Sequence, residues 1–533
     1  MTNWRTSESH PLRVDEVAVP TPGRLGMTFA PGKVQDNARS GAWRRDLEDD
    51  LHALVEGFCA NVLVTALESQ ELEELHIGGL QARAEAHGMT SIRISIPDGA
   101  VAADDEEYWR LVCRIRTSLR SGENVVVHCK GGLGRTGMIV ASVLTTFDVE
   151  PHDAMVTVRR ARAGAIEHGA QEQVIEAAAP WWYASRRTRV RGSLLGGALG
   201  DALGAPIEFD SLDGIRRRSG AEGLRFMARA YGRQGAITDD TQMTLFTAEA
   251  LLRAAVKEDS GASWSPLAFV ERAYLRWFWT QDDEARKDQE WICTGWLFRQ
   301  RFLHHRRAPG NTCLSALEHR ASLGPTDSRM LDAVLNDSKG CGGVMRVAPI
   351  GLLGREPYTL GCAAAGLTHG HPAGVHAAGV FAEIIDELIE GATLEAAVSL
   401  VWARRRSEVQ ADVRVAVDRA LAMVASGDPA TPARVEALGA GWVAEESLAI
   451  AIYCALMADD VEQGLILAVN HSGDSDSTGS LTGNLLGAAW GERRLPSLWL
   501  QQLEGCFVIE RVAQDLASLR LDGVVDRGRY PPT

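Results

Sequence analysis

The feature that most constrains this chain is a change in hydrophobic texture near Trp181-Trp182. Before it, short apolar runs of strand type alternate with amphipathic helical patterns. Val62-Leu63-Val64 and Val125-Val126-Val127 read as strands, and Ile92-x-Ile94-x-Ile96 has a period of two. Leu51, Leu54, Val55 and Phe58 share helical spacing, as do Tyr108, Leu111, Val112, Ile115 and Leu119. This alternation predicts an α/β domain with a mostly parallel sheet. After it, Ala, Gly and Leu dominate. Helical patterns run over 240–256, 371–390, 408–425 and 444–457, and strand signals nearly vanish. That half predicts an all-α domain whose helices approach closely through small residues. At 533 residues the chain is also too long for one ordinary core. The expected division is an irregular segment over 1–44, the α/β domain over 45–180, a basic linker over 181–191 and the helical domain over 192–525.

The formal net charge of -15 disfavours non-specific binding to nucleic acid or an anionic membrane. No apolar run is long enough to span a bilayer, and the first residues lack the apolar core of a secretory signal. The nine cysteines are odd in number and include no Cys-x-x-Cys pair. A reducing cytoplasm is expected, with each cysteine either core filler or a nucleophile.

One cysteine stands in a loaded frame. The run His128-Cys129-Lys130-Gly131-Gly132-Leu133-Gly134-Arg135-Thr136-Gly137 follows a buried strand and opens a helix. Five residues between Cys129 and Arg135 allow a loop whose amides point inward as an anion nest. The helix N-terminus adds positive potential. Both favour a thiolate, and Arg135 can hold two phosphoryl oxygens with its planar fork. Gly132, Gly134 and Gly137 also fit the dinucleotide fingerprint, but that leaves Cys129 and Arg135 unexplained, and no acidic residue follows at the required distance.

These residues resemble the protein tyrosine and dual-specificity phosphatase superfamily, whose signature is His-Cys-x5-Arg-Ser/Thr. The resemblance covers about residues 45–180. It implies attack of Cys129 on phosphorus, a phosphocysteine intermediate and no cofactor. It implies phosphate binding by residues 128–134 (His128, Lys130, Gly131, Gly132, Leu133, Gly134) and by Arg135. Asp98 stands at the general-acid position, although Pro97-Asp98-Gly99 is also a turn signal. Thr136 would assist the leaving thiolate. Glu167 stands where the family often has a water-positioning Gln, while Gln171 matches a second one.

The helical half carries three clusters of oxygen donors. They are Asp201 to Glu208, Thr238-Asp239-Asp240-Thr241 and Asp474-Ser475-Asp476-Ser477-Thr478. Oxygen-only donors suit hard cations. Asp239-Asp240 could simply cap a helix. A calcium loop starting at Asp474 fails, because Leu485 stands where the bidentate Glu is needed. The clusters resemble the ADP-ribosylglycohydrolase family over about 190–520, supported by Gly192 to Asp201, Asn336 to Arg346 and Thr368-His369-Gly370-His371-Pro372. The resemblance implies an all-α bundle with two Mg²⁺ or Mn²⁺ ions on Thr238, Asp239, Asp240, Asp474, Asp476 and Ser477. Glu208 would be general acid/base, with Asp474 or Asp239 as alternatives. Gly340, Gly342, Gly343 and His369 would contact the ADP-ribose. His304, His305 and His371 read as structural.

The whole then reads as a bifunctional hydrolase of phosphomonoesters and of the C1″ bond of ADP-ribose. Its partners would be phosphorylated and ADP-ribosylated proteins or small molecules. Two alternatives stand beside it: both domains process one phosphorylated ADP-ribose metabolite, or one domain reads phosphate or ADP-ribose without turnover.

Overall fold

The computed structural model describes residues 4–38, 41–102, 105–259, 265–281, 292–323 and 334–532. The chain divides into two compact units, 1–184 and 185–533.

The first unit is built on a five-stranded sheet. Its strands are β1 (Asp15–Val17), β2 (Leu25–Phe29), β5 (Val62–Ala66), β6 (Thr90–Ile94) and β7 (Val125–Cys129), in the order β1-β2-β7-β5-β6. All neighbours are parallel except β1 and β2. The central strands β5 and β7 are buried along their whole length, which is why they read as continuous apolar runs. A separate hairpin joins β3 (Val34–Ala38) to β4 (Gly41–Arg44). The segment over 1–44, expected to be irregular, therefore supplies two strands of the main sheet and this hairpin. Its strands are only three to five residues long, too short for the alternation Leu25-x-Met27-x-Phe29 in β2 to stand out as a strand. The stripe from Tyr108 to Leu119 is buried as expected, on the helix Asp105–Arg120.

The four parallel strands share one carboxyl edge, and each delivers a functional group there. Lys33 follows β2, Glu71 follows β5, Asp98 follows β6 and Cys129 ends β7. This is the edge where ligands bind in open α/β sheets.

The segment over 181–191, expected to be a linker, is helical throughout, inside the helix Gly169–Gly204. In the first unit Trp181 stacks on Trp109 at 4.7 Å. In the second, Arg186 pairs with Glu390, Arg187 with Asp522, and Arg189 donates to the Leu388 carbonyl. The basic run lacks an apolar stripe because its partners are carboxylates and carbonyls.

The second unit is a helical bundle, with one two-residue hairpin, Arg229–Ala230 against Arg233–Gln234. The expected long helices are present as Asp239–Glu258, Pro372–Ile389, Ala411–Ala425 and Ala444–Leu456. Its tightest joint lies between the second half of Gly169–Gly204 and the helix Ser475–Trp490. Gly192, Gly196 and Gly200, spaced by four, face Gly487, Gly483 and Gly479. A Cβ on Gly200 would lie 1.9 Å from the Gly479 carbonyl oxygen, and one on Gly196 2.3 Å from that of Gly483. The backbones touch, and this sets Asp201 and Asp476 near one another at the end of the seam. Among the described residues no helix is long and apolar enough to cross a membrane.

Candidate functional sites

In the first unit, Cys129 sits buried at the end of β7 and the helix Gly134–Thr145 begins five residues later. The loop between them is turned by its surroundings. The Lys130 carbonyl accepts from the Ala30 amide and Lys33 Nζ, the Gly131 carbonyl from Arg162, and the Leu133 carbonyl from the Ile166 amide. In a trans peptide the next amide points the opposite way. The N–H groups of Gly131, Gly132 and Gly134 are thereby turned away from those partners, as an anion cradle requires. Gly132 has φ +70°, and a Cβ there would lie 2.2 Å from the Thr28 carbonyl oxygen. Only glycine fits.

His128 is buried, with Nε2 2.8 Å from Thr65 Oγ1. Burial, helped by the Arg135 charge, lowers its pKa to about 4, so it is a neutral prop for the loop. Arg135 is held by a residue with no motif around it: Glu71 Oε2 and Oε1 accept from Nη1 and Nη2 at 2.6 and 2.9 Å. Burial alone would raise the Glu71 carboxyl, but the Arg135 bonds override it and keep it below the ordinary range. Arg135 also donates to the Ile96 carbonyl and to Asp98 Oδ1, at 2.8 and 2.9 Å. Asp98 itself is 66% exposed at its side chain, at the mouth of the cavity. Gln171 is buried and its Oε1 accepts from the Glu167 amide, while its Nε2 has no hydrogen-bond partner among the described residues. Thr136 Oγ1 is likewise buried without one among them. Cys129, Lys130, Arg135, Asp98, Glu167 and Lys33 line one cavity of about 660 Å³.

In the second unit, two buried helix N-termini carry the carboxylates. Thr238 caps Asp239–Glu258, and Asp474 caps Ser475–Trp490. Asp201, quoted in the motif but outside the expected ligand set, organises the first cap. Its carboxylate accepts from the Thr238 amide at 3.0 Å, from Thr238 Oγ1 at 2.8 Å, and from the amide and hydroxyl of Thr241. Asp476 Oδ1 accepts from the Ser477 amide at 2.9 Å, and Asp474 Oδ2 accepts from the Cys341 thiol at 2.8 Å. Asp239 Oδ2 accepts from the Gly310 amide at 3.4 Å.

Six carboxylates in this region are buried: Asp201, Glu208, Asp239, Asp240, Asp474 and Asp476. Among the described residues none pairs with Lys, Arg or His. Asp240 Oδ1 and Glu208 Oε2 have no hydrogen-bond partner among the described residues. Burial, then the field of Asp476, raises Asp201 to about 7 and Asp239, Asp240 and Asp474 well above the ordinary range. Burial and the neighbouring carboxylates push Glu208 up to about 10. So many buried carboxyls without a counter-ion suit a cation-binding site, since a bound cation would favour their ionised form. The donors are oxygens, as hard divalent ions prefer. Among the described residues no three Asp, Glu, His or Cys side chains form a ready metal cage. Ligation would therefore draw on the Thr238 and Ser477 hydroxyls or on movement of the carboxylates.

The Gly340–Gly343 loop is pinned beside this set. The Cys341 amide donates to the Trp442 carbonyl, and Gly340 bridges to Val443. His369 is buried beneath it, with Nδ1 2.8 Å from Thr368 Oγ1. A Cβ on Gly342 would lie 2.9 Å from both His369 Cε1 and Cys313 Sγ, so the loop packs flat on these side chains. Burial lowers the His369 pKa to about 3, so it too is neutral. His371 caps the helix Pro372–Ile389, and His304 contacts the Phe298 carbonyl. Phe209 and Trp442, 74% and 42% exposed, stack at 5.8 Å next in sequence to Glu208 and near the loop.

Comparison with known proteins bears on both units. Residues 182–524 match the family model for ADP-ribosylglycohydrolase, and residues 41–148 match one described as polymorphic toxin system, DSP-PTPase phosphatase. The chain belongs to the ADP-ribosylglycohydrolase family, fused to an N-terminal DSP-type phosphatase domain. It is 26% identical to the ADP-ribosyl-[dinitrogen reductase] glycohydrolase of Rhodospirillum rubrum, covering 59% of this chain and 90% of that one. It is 25% identical to the ADP-ribosylarginine hydrolase Tri1 of Serratia proteamaculans, covering 62% and 78%. Cyclin-dependent kinase inhibitor 3 of Rattus norvegicus is 27% identical over 27% of this chain and 66% of its own length. Both domains thus belong to enzyme families, and ADP-ribosylglycohydrolases in general use divalent metal ions.

Proposed function

We propose that the chain is a bifunctional hydrolase, a phosphocysteine-type phosphomonoester phosphatase joined to a metal-dependent ADP-ribosyl hydrolase. In the first unit a substrate phosphate competes with Asp98 for Arg135. Cys129 attacks phosphorus as the P–O bond to the leaving group breaks, and Asp98 gives that oxygen its proton. The partnerless Gln171 amide and Thr136 hydroxyl then have work in the second step. Gln171 orients the water that attacks the phosphocysteine, and Thr136 donates to the departing thiolate.

In the second unit Thr238, Asp239, Asp240, Asp474, Asp476 and Ser477 would hold two Mg²⁺ or Mn²⁺ ions. When bound, these ions supply orientation of the ribose hydroxyls and activation of water. Asp201 fixes the Thr238–Thr241 turn, and Glu208 moves the proton at the C1″ bond. The Gly340–Gly343 loop lets the backbone approach the ribose or pyrophosphate, with His369 as its floor. The exposed Phe209–Trp442 stack offers a flat face for adenine. The reading is carried by the buried carboxylates gathered at two helix N-termini without a protein counter-ion.

Arginine-linked ADP-ribose on protein is the first substrate to try, since two relatives are named for such linkages or for a modified reductase. With an odd number of cysteines and no Cys-x-x-Cys pair, we place the protein in a reducing cytoplasm. The test is mass-spectrometric release of ADP-ribose from arginine- and serine-linked peptides, with Mg²⁺, with Mn²⁺ and with EDTA. Metal-dependent release from the arginine linkage is expected. Release unaffected by EDTA would remove the metal mechanism, and release from serine alone would replace the linkage.

A further inference from the structure

The cavity around Cys129 is lined by charge of both signs, with Asp98 and Glu167 among its carboxylates. Among the described residues four cations line it: Lys33, Lys130, Arg135 and Arg162. Three face carboxylates. Arg135 pairs with Glu71 and Asp98, Arg162 with Asp15 at 2.5 Å, and Lys130 lies 3.9 Å from Glu74. Among the described residues Lys33 pairs with none. It is only 4% exposed, and its Nζ donates to the Lys130 carbonyl at 3.3 Å. Among the described residues its other two N–H bonds find no acceptor.

Lys33 is held in place rather than loosely buried. The turn before it uses Gly32 at φ +68°, where a Cβ would lie 2.6 Å from Leu47 Cβ. The Gly32 amide donates to buried Asp50, which also pairs with Arg45. The ammonium then lies 4.8 Å from the Phe29 ring centre and 5.1 Å from that of Trp43. Burial, then the charge of Arg45, pulls the Lys33 pKa down to about 8. A desolvated ammonium without a counter-ion is costly, and an anion in the cavity would relieve it.

We propose that Lys33 forms a second anion subsite beside the Cys129 loop, and that the phosphatase acts on a phosphomonoester carrying a further phosphate group. The proposal rests on the phosphatase reading of that loop. It assigns a specificity role to a residue of the N-terminal segment, outside the His-Cys-x5-Arg frame.

The test is calorimetric titration of the full chain, as Cys129→Ser in EDTA, with orthophosphate and with pyrophosphate. A charge-assisted bond contributes about 1.5–3 kcal/mol, so pyrophosphate is expected to bind at least about tenfold tighter. Lys33→Met in the same background should weaken pyrophosphate by about tenfold and orthophosphate by less than about threefold, while Lys33→Arg keeps the preference. Equal affinity of the two anions before Lys33 is changed, or equal loss for both after it, would overturn the subsite. Failure to bind orthophosphate at all would instead remove the phosphatase reading, and the subsite with it. Turnover by the wild-type chain then separates the sources of the second phosphate. Either a nucleotide-type or an inositol-type bisphosphate should show a KM at least about tenfold below that of p-nitrophenyl phosphate. If neither does, the proposal is wrong.

Discussion

At the scale of single residues, the chemistry depends on side chains that position others. Glu71 holds both terminal nitrogens of Arg135, as a fork that a neutral amide cannot reproduce. Glu71→Gln is expected to lower kcat/KM for p-nitrophenyl phosphate by about tenfold to hundredfold, because a misplaced guanidinium meets the phosphoryl oxygens poorly. Loss of less than about threefold would show that Arg135 needs no such support. Asp201 plays the corresponding part in the second unit, tying Thr238 to Thr241. Glu71 was not legible in the sequence, since it sits on a six-residue helix with no motif around it. Asp201 was legible as a member of an oxygen-donor cluster, but its role in tying Thr238 to Thr241 was not, because those partners are 37 and 40 positions away. Cys129, Arg135 and the Asp239-Asp240 and Asp474-x-Asp476 clusters were legible because local spacing carries them. Lys33 was hidden for a different reason. Its surroundings are a turn and two aromatic rings contributed by a segment that reads as irregular.

At the scale of elements, the glycine seam in the helical unit connects sequence to site most directly. Close approach of the helices through small residues was legible. Their register against Gly192, Gly196 and Gly200 was not, because contacts across nearly 300 residues leave no local period. Gly200→Ala would place a methyl group 1.9 Å from the Gly479 carbonyl oxygen. Overpacking against backbone typically costs about 1–3 kcal/mol, and this contact lies at or beyond the upper end. A clear fall in the thermal midpoint of the helical unit is expected. Gly57→Ala makes the contrast, since it lies in the helix Leu47–Phe58 with nothing within 4 Å of its added Cβ. That change should stabilise by about 0.5–1 kcal/mol. Equal effects of the two substitutions would contradict the seam. The long helices were legible from their periodicity. The short strands β1 to β4 were not, because three to five residues carry too little pattern.

At the scale of the whole molecule, each unit is expected to respond to its own ligand. In the second unit, metal-free folding must tolerate the mutual repulsion of buried carboxylates, with Asp476 the main source of the field at its neighbours. Adding Mg²⁺ or Mn²⁺ should raise the unfolding temperature of this unit by binding the folded state alone. Asp476→Asn should raise the metal-free midpoint by roughly 1–2 °C for each kcal/mol of repulsion relieved, and should remove the rise with metal. A variant that is less stable than wild type in EDTA, or that keeps the full response to metal, would contradict the cation-site reading.

The most direct test of two independent hydrolytic sites is a crossed assay on three full-length proteins: wild type, Cys129→Ser, and Asp474→Ala/Asp476→Ala. Phosphate release from p-nitrophenyl phosphate and ADP-ribose release from an arginine-linked peptide are measured on each, with Mn²⁺ or Mg²⁺ present. The expected result is that wild type does both, Cys129→Ser loses only phosphate release, and the double variant loses only ADP-ribose release. Retention of phosphate release in Cys129→Ser, or of ADP-ribose release in the double variant, would contradict the assignment of that site.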